Sequence, residues 1–171
     1  KKRLYVALYP SGVTNNEERK YHWGFLVGPK HERDMEVPGT RYHVKNHPVS
    51  GWVYEEAPLG NVQSTGNLLA RVLIAKVVDE ARLAGILRGV PVVQADPSWR
   101  CRTWLASALA AIRADGPGRA VGTAELDWNR IERVAREYVA RKTGSGRYTI
   151  EQDAQQPKPT WDMLQRKETI P

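Results

Sequence analysis

Apolar and polar positions alternate through the first third of the chain. Four segments there have the two-residue period of a β-strand and are rich in β-branched and aromatic residues. They are RLYVALY (3–9), YHWGFLVG (21–28), TRYHVKN (40–46) and GWVYEEA (51–57). A fifth segment, LLARVLIAKVV (68–78), fits a helix or a strand, and its β-branched second half favours a strand. The pattern therefore predicts a β-rich N-terminal half.

The period changes to that of a helix after residue 78. Three segments have apolar residues three and four positions apart, as on one face of a helix. They are DEARLAGILRG (79–89), DPSWRCRTWLASALAAIRADG (96–116) and TAELDWNRIERVAREYVARKTG (123–144). We expect Asp79 to cap the first helix and Gly89 to end it.

The second of these helices carries the only cysteine of the chain. Its apolar positions form one continuous stripe. The stripe consists of Cys101, Trp104, Leu105, Ala108, Leu109 and Ile112. With Asp96 or Ser98 as the predicted N-cap, Cys101 would lie about one turn into the helix.

Strands followed by helices are typical of an α+β fold, in which helices pack on an antiparallel β-sheet. A length of 171 residues corresponds to a single domain, 1–171. The segment 147–171 is polar and contains three prolines. We expect it to be an extended C-terminal segment that packs on the body through Trp161 and Leu164.

The formal net charge of +7 permits contact with nucleic acid or another anionic partner. The basic residues are spread along the chain and match no nucleic-acid-binding module, which disfavours such a partner. Arg130, Arg133 and Arg136 lie on the polar face of the third predicted helix, where they are either solvated or contact a partner. No apolar run is long enough for a transmembrane helix.

A single cysteine excludes an intramolecular disulfide and a zinc site with several thiolates. An unpaired thiol suits a reducing compartment, so we expect a cytoplasmic protein. The glycine-containing turns match no phosphate-binding loop, and we expect no cofactor. Zinc on His22, His43 and Cys101 is disfavoured because their spacing is far from any compact ligand motif.

Three residues have the chemistry of a thiol-based catalytic site. Cys101 lies near a helix N-terminus between Arg100 and Arg102, and these surroundings favour a thiolate. His22 and His43 lie on successive predicted strands, where one can act as the base and the other can orient it. Two questions stay open. Cys101 also fits a buried core thiol, and the strand register decides whether the histidines share a face.

Three tryptophans, Trp23, Trp99 and Trp104, lie close to these residues in the sequence. We predict that they wall an acyl-binding pocket, and core packing is the alternative for each. The carboxylates, such as Glu55 and Glu56, show no arrangement typical of acid–base catalysis.

The order of these motifs resembles that of the circularly permuted papain-like thiol enzymes. HWGFLVG (22–28), a polar residue on a later strand and a cysteine opening an amphipathic helix are similar to motifs of two groups. These are the lecithin:retinol acyltransferase group and the permuted deubiquitinase-like peptidases. The resemblance implies His22 as general base, His43 as orienting residue and Cys101 as nucleophile.

The chain also resembles a family of small uncharacterised fungal proteins over nearly its whole length. The shared motifs are YHWGFLVGPK, YHVKN, GWVYEE, CRTWLASAL and PTWDMLQRKETIP. We therefore expect a cysteine-dependent hydrolase or acyltransferase that forms an acyl-enzyme with an amide, ester or thioester. The substrate would be a small molecule, a peptide or a carrier-bound acyl group. The alternative is a non-catalytic binding domain on the same scaffold, contacting RNA or another anionic partner through its basic surface.

Overall fold

Eight strands and three helices make up the computed structural model, which describes residues 1–149 and 156–171. The strands are β1 (Arg3–Pro10), β2 (Tyr21–Gly28), β3 (Gly39–His47), β4 (Gly51–Leu59), β5 (Ala70–Val77), β6 (Val121–Ala124), β7 (Thr160–Asp162) and β8 (Lys167–Ile170). The helices are α1 (Glu80–Arg88), α2 (Cys101–Asp115) and α3 (Trp128–Gly144). The predicted α+β class is confirmed.

The strands form one sheet in the order β4-β3-β2-β1-β5-β7-β8, and β6 also pairs with β5. All pairs are antiparallel except that of β5 with β7. The ambiguous segment is therefore a strand, β5, which is central in the sheet. A continuous run of β-branched and aliphatic residues suits this place, because a strand covered on both faces has no need of alternation.

The two faces of the sheet differ in what covers them. One face carries Trp23 and Phe25 from β2, and the helices pack on it, with α2 against β2 and β3. All six residues of the predicted α2 stripe are buried there. The opposite face holds a smaller apolar cluster that includes Tyr5, Tyr9 and Leu26. The main core thus lies between the sheet and the helices.

The start of α2 differs from the prediction. Asp79 caps α1 as expected, with its carboxylate accepting from the Arg82 N–H. In α2, however, the N-cap is Arg100, and the predicted caps Asp96 and Ser98 are wrong. The Asp96 carboxylate instead accepts from the N–H and hydroxyl of Ser98 in a local turn, because a short polar side chain bonds its nearest backbone donors. Cys101 is consequently the first helical residue.

The C-terminal segment extends the sheet. Part of the predicted segment 147–171, residues 150–155, lies outside the described residues. Beyond it, β7 runs parallel to β5 and β8 pairs with β7, two strands that periodicity did not predict. The Trp161 ring lies 5.9 Å from that of Tyr138 on α3, and Leu164 packs on the smaller apolar cluster. Fully buried Arg71 on β5 also donates to Thr160, which ties β7 to the sheet.

Candidate active site

The strands β2 and β3 separate at one end, and the predicted histidines lie there. Their ladder covers only Phe25–Val27 against residues 40–42, whereas β1 and β2 pair along their full length. Just beyond this short ladder, His22 Nε2 lies 2.9 Å from His43 Nδ1. The strand register therefore puts both imidazoles on one face of the sheet and within hydrogen-bond distance.

Gly24 provides the space for this contact. A Cβ atom built on Gly24 would lie 3.1 Å from the Cβ of His43, which is closer than most real contacts between such atoms. The missing side chain lets His43 cross toward His22 without a clash. Packing against His43 therefore explains why the third residue of HWG is glycine.

A carboxylate that sequence reasoning missed completes the arrangement. In the β3–β4 ladder His43 lies opposite Glu55, and His43 Nε2 is 2.9 Å from Glu55 Oε1. Lys45 Nζ lies 2.6 Å from the other oxygen, Oε2. The hairpin itself held the signal: His47 pairs with Gly51, so counting back four residues on one strand and forward four on the other reaches this pair.

The ionised state of Glu55 determines which ring nitrogen carries the proton on each histidine. Hydrogen bonds from His43 and then Lys45 lower the pKa of Glu55 to about 2, so it is ionised and only accepts. His43 must then donate from Nε2 and accept at Nδ1. His22 in turn donates from Nε2, which leaves the lone pair on its Nδ1. A neutral histidine with a free ring nitrogen is the form that a general base requires.

Burial keeps this histidine pair neutral. It lowers the pKa of His22 to about 4, with smaller contributions from the neighbouring His43 and Arg41. It also lowers the pKa of His43, although the hydrogen bond to Glu55 opposes the change. Both imidazoles are therefore uncharged near pH 7, as the proton assignment requires.

Cys101 opens α2 beside the separated strands and is 6% exposed. The backbone N–H groups of Trp23, the residue that follows His22, and of Arg102 both act on its thiol and favour the charged form. Burial raises the pKa of the thiol, and these N–H groups and the charge of Arg100 oppose the rise. The resting sulfur is thus a neutral thiol next to a helix N-terminus.

An open cavity of about 500 Å³ brings these groups to the surface. His22 and Cys101 both line it, and Trp52 forms part of its wall. A second cavity, of about 550 Å³, lies between α3 and the β6–β7 end of the sheet, and neither cysteine nor histidine lines it. Of these two cavities, only the first therefore combines a thiol with an imidazole.

The sequence model of one protein family matches residues 1–170. The chain belongs to this family, DUF6914. It is described as a family of unknown function. No curated protein and no solved structure matches the chain significantly.

The predicted tryptophan wall does not line the cavity of His22 and Cys101. Trp23 and Trp104 are fully buried, where Trp23 packs edge-on against Trp128 and Trp104 packs against Phe25. Trp99 is also buried and lines a smaller neighbouring pocket. The indole rings are large and apolar, and the sheet–helix interface takes them up as core.

The three predicted arginines of α3 differ in their contacts. Arg130 pairs with Glu125, and Arg136 bonds Glu132 and the carbonyls of the loop at 17–18. Arg133 lines the 550 Å³ cavity.

The described ranges also bear on metal binding and membrane insertion. Within 1–149 and 156–171, no group of three or more histidine, cysteine, aspartate or glutamate side chains is placed to hold a metal ion. Over the same part of the chain, none of the helices has the length and apolar character needed to cross a membrane.

Proposed function

We propose that this protein is a cysteine-dependent hydrolase or acyltransferase that acts on an amide, ester or thioester. One observation carries the proposal: the hydrogen-bonded series Glu55–His43–His22 ends in an open cavity that Cys101, at a helix N-terminus, also lines. The motif order shared with permuted papain-like enzymes supports the same assignment. A reduced thiol also suits a compartment such as the cytoplasm.

Acylation follows from the proton positions. The Cys101 sulfur attacks the substrate carbonyl while its proton passes to Nδ1 of His22, and a carbon–sulfur bond forms. Backbone N–H groups at the start of α2 stabilise the oxyanion that develops on the carbonyl oxygen. The tetrahedral species then expels an amine, alcohol or thiol, which takes the proton from His22.

Deacylation reverses the roles. Water or an acceptor amine or alcohol gives its proton to His22 and attacks the thioester carbon. The carbon–sulfur bond then breaks, and the sulfur regains its proton. Glu55 and His43 act through His22: they hold its ring in one tautomer and stabilise the imidazolium that forms.

The test is acylation by an activated ester, p-nitrophenyl acetate, followed by nitrophenolate release and mass spectrometry. We expect an acetyl group on Cys101 of the folded protein and none on Cys101→Ala. His22→Ala should acylate roughly 100-fold more slowly or worse, because general-base catalysis contributes about 10²–10⁴-fold. The matched control is His31→Ala, which removes an exposed loop histidine and should leave the rate unchanged.

Two results would contradict the proposal. One is a thiol that is acylated only after unfolding, as a buried core cysteine would be. The other is a His22→Ala rate equal to that of His31→Ala, which would remove the base from the mechanism.

A second candidate, non-catalytic binding of an anionic partner, is favoured by the 550 Å³ cavity. Trp161 lines it together with two carboxylates, Glu125 and Glu137, and four arginines, namely Arg130, Arg133, Arg141 and Arg166. RNA is one such partner, and a nuclease-sensitive shift on a sizing column tests for it. Loss of that shift in Arg133→Gln would assign the binding to this face, and its absence from the wild type would exclude RNA.

A further inference from the structure

Tyr9 holds an unpartnered hydroxyl next to the proposed base. It lies opposite His22 in the β1–β2 ladder, and their rings are 5.8 Å apart. Tyr9 is 7% exposed, lines the cavity, and its hydroxyl has no hydrogen-bond partner among the described residues. Buried tyrosine hydroxyls usually have a partner, so this donor is available to a bound molecule.

Arg41 lies beside this hydroxyl. Its guanidinium carbon is 5.8 Å from the centre of the Tyr9 ring, and its Nε is buried without a partner in the part of the chain that the structure describes. It reaches the Glu55 carboxylate only at 3.8 Å, while Lys45 approaches that carboxylate at 2.6 Å. Lys45 therefore largely satisfies Glu55, and Arg41 keeps donors for a ligand.

The cavity as a whole carries excess positive charge. Its lining contains one carboxylate, Glu18, and five basic side chains, which are Arg19, Arg41, Lys45, Arg100 and Arg102. Glu55 and Glu132 pair with lining residues from outside it. Five cations against three carboxylates leave two positive charges uncompensated. A cavity with this balance favours an anionic ligand.

We propose that Tyr9 and Arg41 form a subsite for a carboxylate or phosphate group that the substrate carries near its reacting carbonyl. The inference rests on the proposed thiol chemistry and names the class of substrate. Burial raises the pKa of the Tyr9 phenol, with Arg41 opposing, so the hydroxyl keeps its proton and donates. A phenol O–H and a guanidinium together match the several acceptor oxygens of such an anion.

Iodoacetate and iodoacetamide provide a matched pair of probes that differ in charge. In both reactions the sulfur bonds to the CH₂ carbon, iodide leaves, and the thiol proton passes through His22 to solvent. We expect the iodoacetate-to-iodoacetamide rate ratio at Cys101 to exceed that of glutathione by about tenfold, as one charge-assisted contact contributes. The ratio should fall toward the glutathione value in Arg41→Gln and Tyr9→Phe.

Arg33→Gln is the control, because it removes one positive charge from an exposed loop residue that does not line the cavity. It should keep the wild-type ratio. A folded protein whose ratio equals that of glutathione, or is unchanged in Arg41→Gln, would overturn the subsite and leave the thiol chemistry standing.

A second measurement separates the subsite from the reactivity of Cys101. Acetate and inorganic phosphate are titrated separately into Cys101→Ala, and the imidazole NMR signals of His22 are followed. Saturable shifts that vanish in Cys101→Ala/Arg41→Gln support the subsite, and the tighter anion identifies the substrate group. Absence of shifts with both anions overturns it. If neither iodo compound modifies the folded wild type, the proposed function fails, and this titration alone decides the subsite.

Discussion

Glu55 determines the direction of both hydrogen bonds in the histidine pair, so an isosteric change to glutamine tests the arrangement. In Glu55→Gln an anion that only accepts becomes an amide with one acceptor and one donor group. The ammonium of Lys45, 2.6 Å from Oε2, requires an acceptor. We therefore expect the amide oxygen to face Lys45 and the amide NH₂ to face His43.

This orientation would reverse both tautomers. His43 would accept at Nε2 and donate from Nδ1, and His22 would then accept at Nε2 and carry its proton on Nδ1. A protonated Nδ1 cannot take the proton of Cys101, so the substitution disables the base without removing it.

The size of the effect follows from the Glu55 carboxylate. Hydrogen bonds from His43 and Lys45 lower its pKa from 4.5 to about 2, and a change of this size corresponds to about 3 kcal/mol. Lys45 supplies part of this energy, and solvent screens a side chain that is 30% exposed. About half of this energy, roughly 1.5 kcal/mol, remains for the His43 contact, and this predicts about tenfold slower acylation.

The assay is single-turnover acylation by p-nitrophenyl acetate, combined with ¹⁵N–¹H NMR of the imidazoles to identify the protonated nitrogen. Glu56→Gln is the matched control, because that neighbouring carboxylate bonds Arg88 and Tyr54. In the double variant Lys45→Met/Glu55→Gln the amide oxygen is free to turn toward His43, and we expect part of the rate to return.

Unchanged imidazole tautomers in Glu55→Gln, or an acylation rate within twofold of Glu56→Gln, would refute this account. The histidine pair would then keep its proton positions without Glu55, and the carboxylate would serve the β3–β4 hairpin alone.

Three further predictions test the geometry of the site and its effect on the stability of the fold. Gly24→Ala should fold but react at least tenfold more slowly with the ester. The added methyl group would lie 3.1 Å from the Cβ of His43 and displace the His43 imidazole. A crystal structure of the variant and its acylation rate check this prediction. Tyr9→Phe should leave the free energy of unfolding unchanged or raise it by up to about 1 kcal/mol, because its hydroxyl is unpartnered. Tyr148→Phe loses a 2.8 Å hydrogen bond to a backbone carbonyl and should lower the free energy of unfolding by about 1 kcal/mol. Urea titrations measure both changes. The folded-state pKa of His22 is about 4 against 6.5 in the unfolded chain, so its contribution to stability is complete above pH 6.5 and is lost as the pH falls toward 4. His22→Asn should reduce the loss of unfolding free energy between pH 7 and 4 by about 3 kcal/mol, and an unaltered pH dependence would show that His22 is not buried in its neutral form.

Local periodicity was sufficient for the elements whose side chains alternate between core and solvent or follow a helical stripe. The strands β1 to β4 and the helices α1 to α3 overlap the predicted segments for this reason, although Thr123 and Ala124, which were predicted to lie in the third helix, belong to β6. The strands β6 to β8 have three or four residues each, which is too few for a two-residue period to be recognised. They form because β5 and its neighbours provide backbone groups with which they pair.

The site was partly predictable for a related reason. His22 and His43 stood out by residue type, but their contact depends on a ladder that stops at Phe25, and the sequence does not encode that point locally. Glu55 was within reach of a register argument once the turn of the β3–β4 hairpin was known. Tyr9 gave no signal at all, because the missing partner of its hydroxyl is a property of the packed structure.

The directions of the pKa changes connect the base, the thiol and the basic cavity. Burial raises the pKa of Cys101 and lowers that of His22, so a resting thiolate–imidazolium pair is less stable here than between the free groups. In the proposed mechanism, proton transfer becomes favourable only as negative charge moves onto a substrate carbonyl oxygen, where the N–H groups of the α2 N-terminus would stabilise it. An anionic substrate held by Arg41 would displace water from the cavity and strengthen these interactions. In the proposed mechanism, the same burial that makes Cys101 resemble a core thiol therefore couples its ionisation to the arrival of substrate.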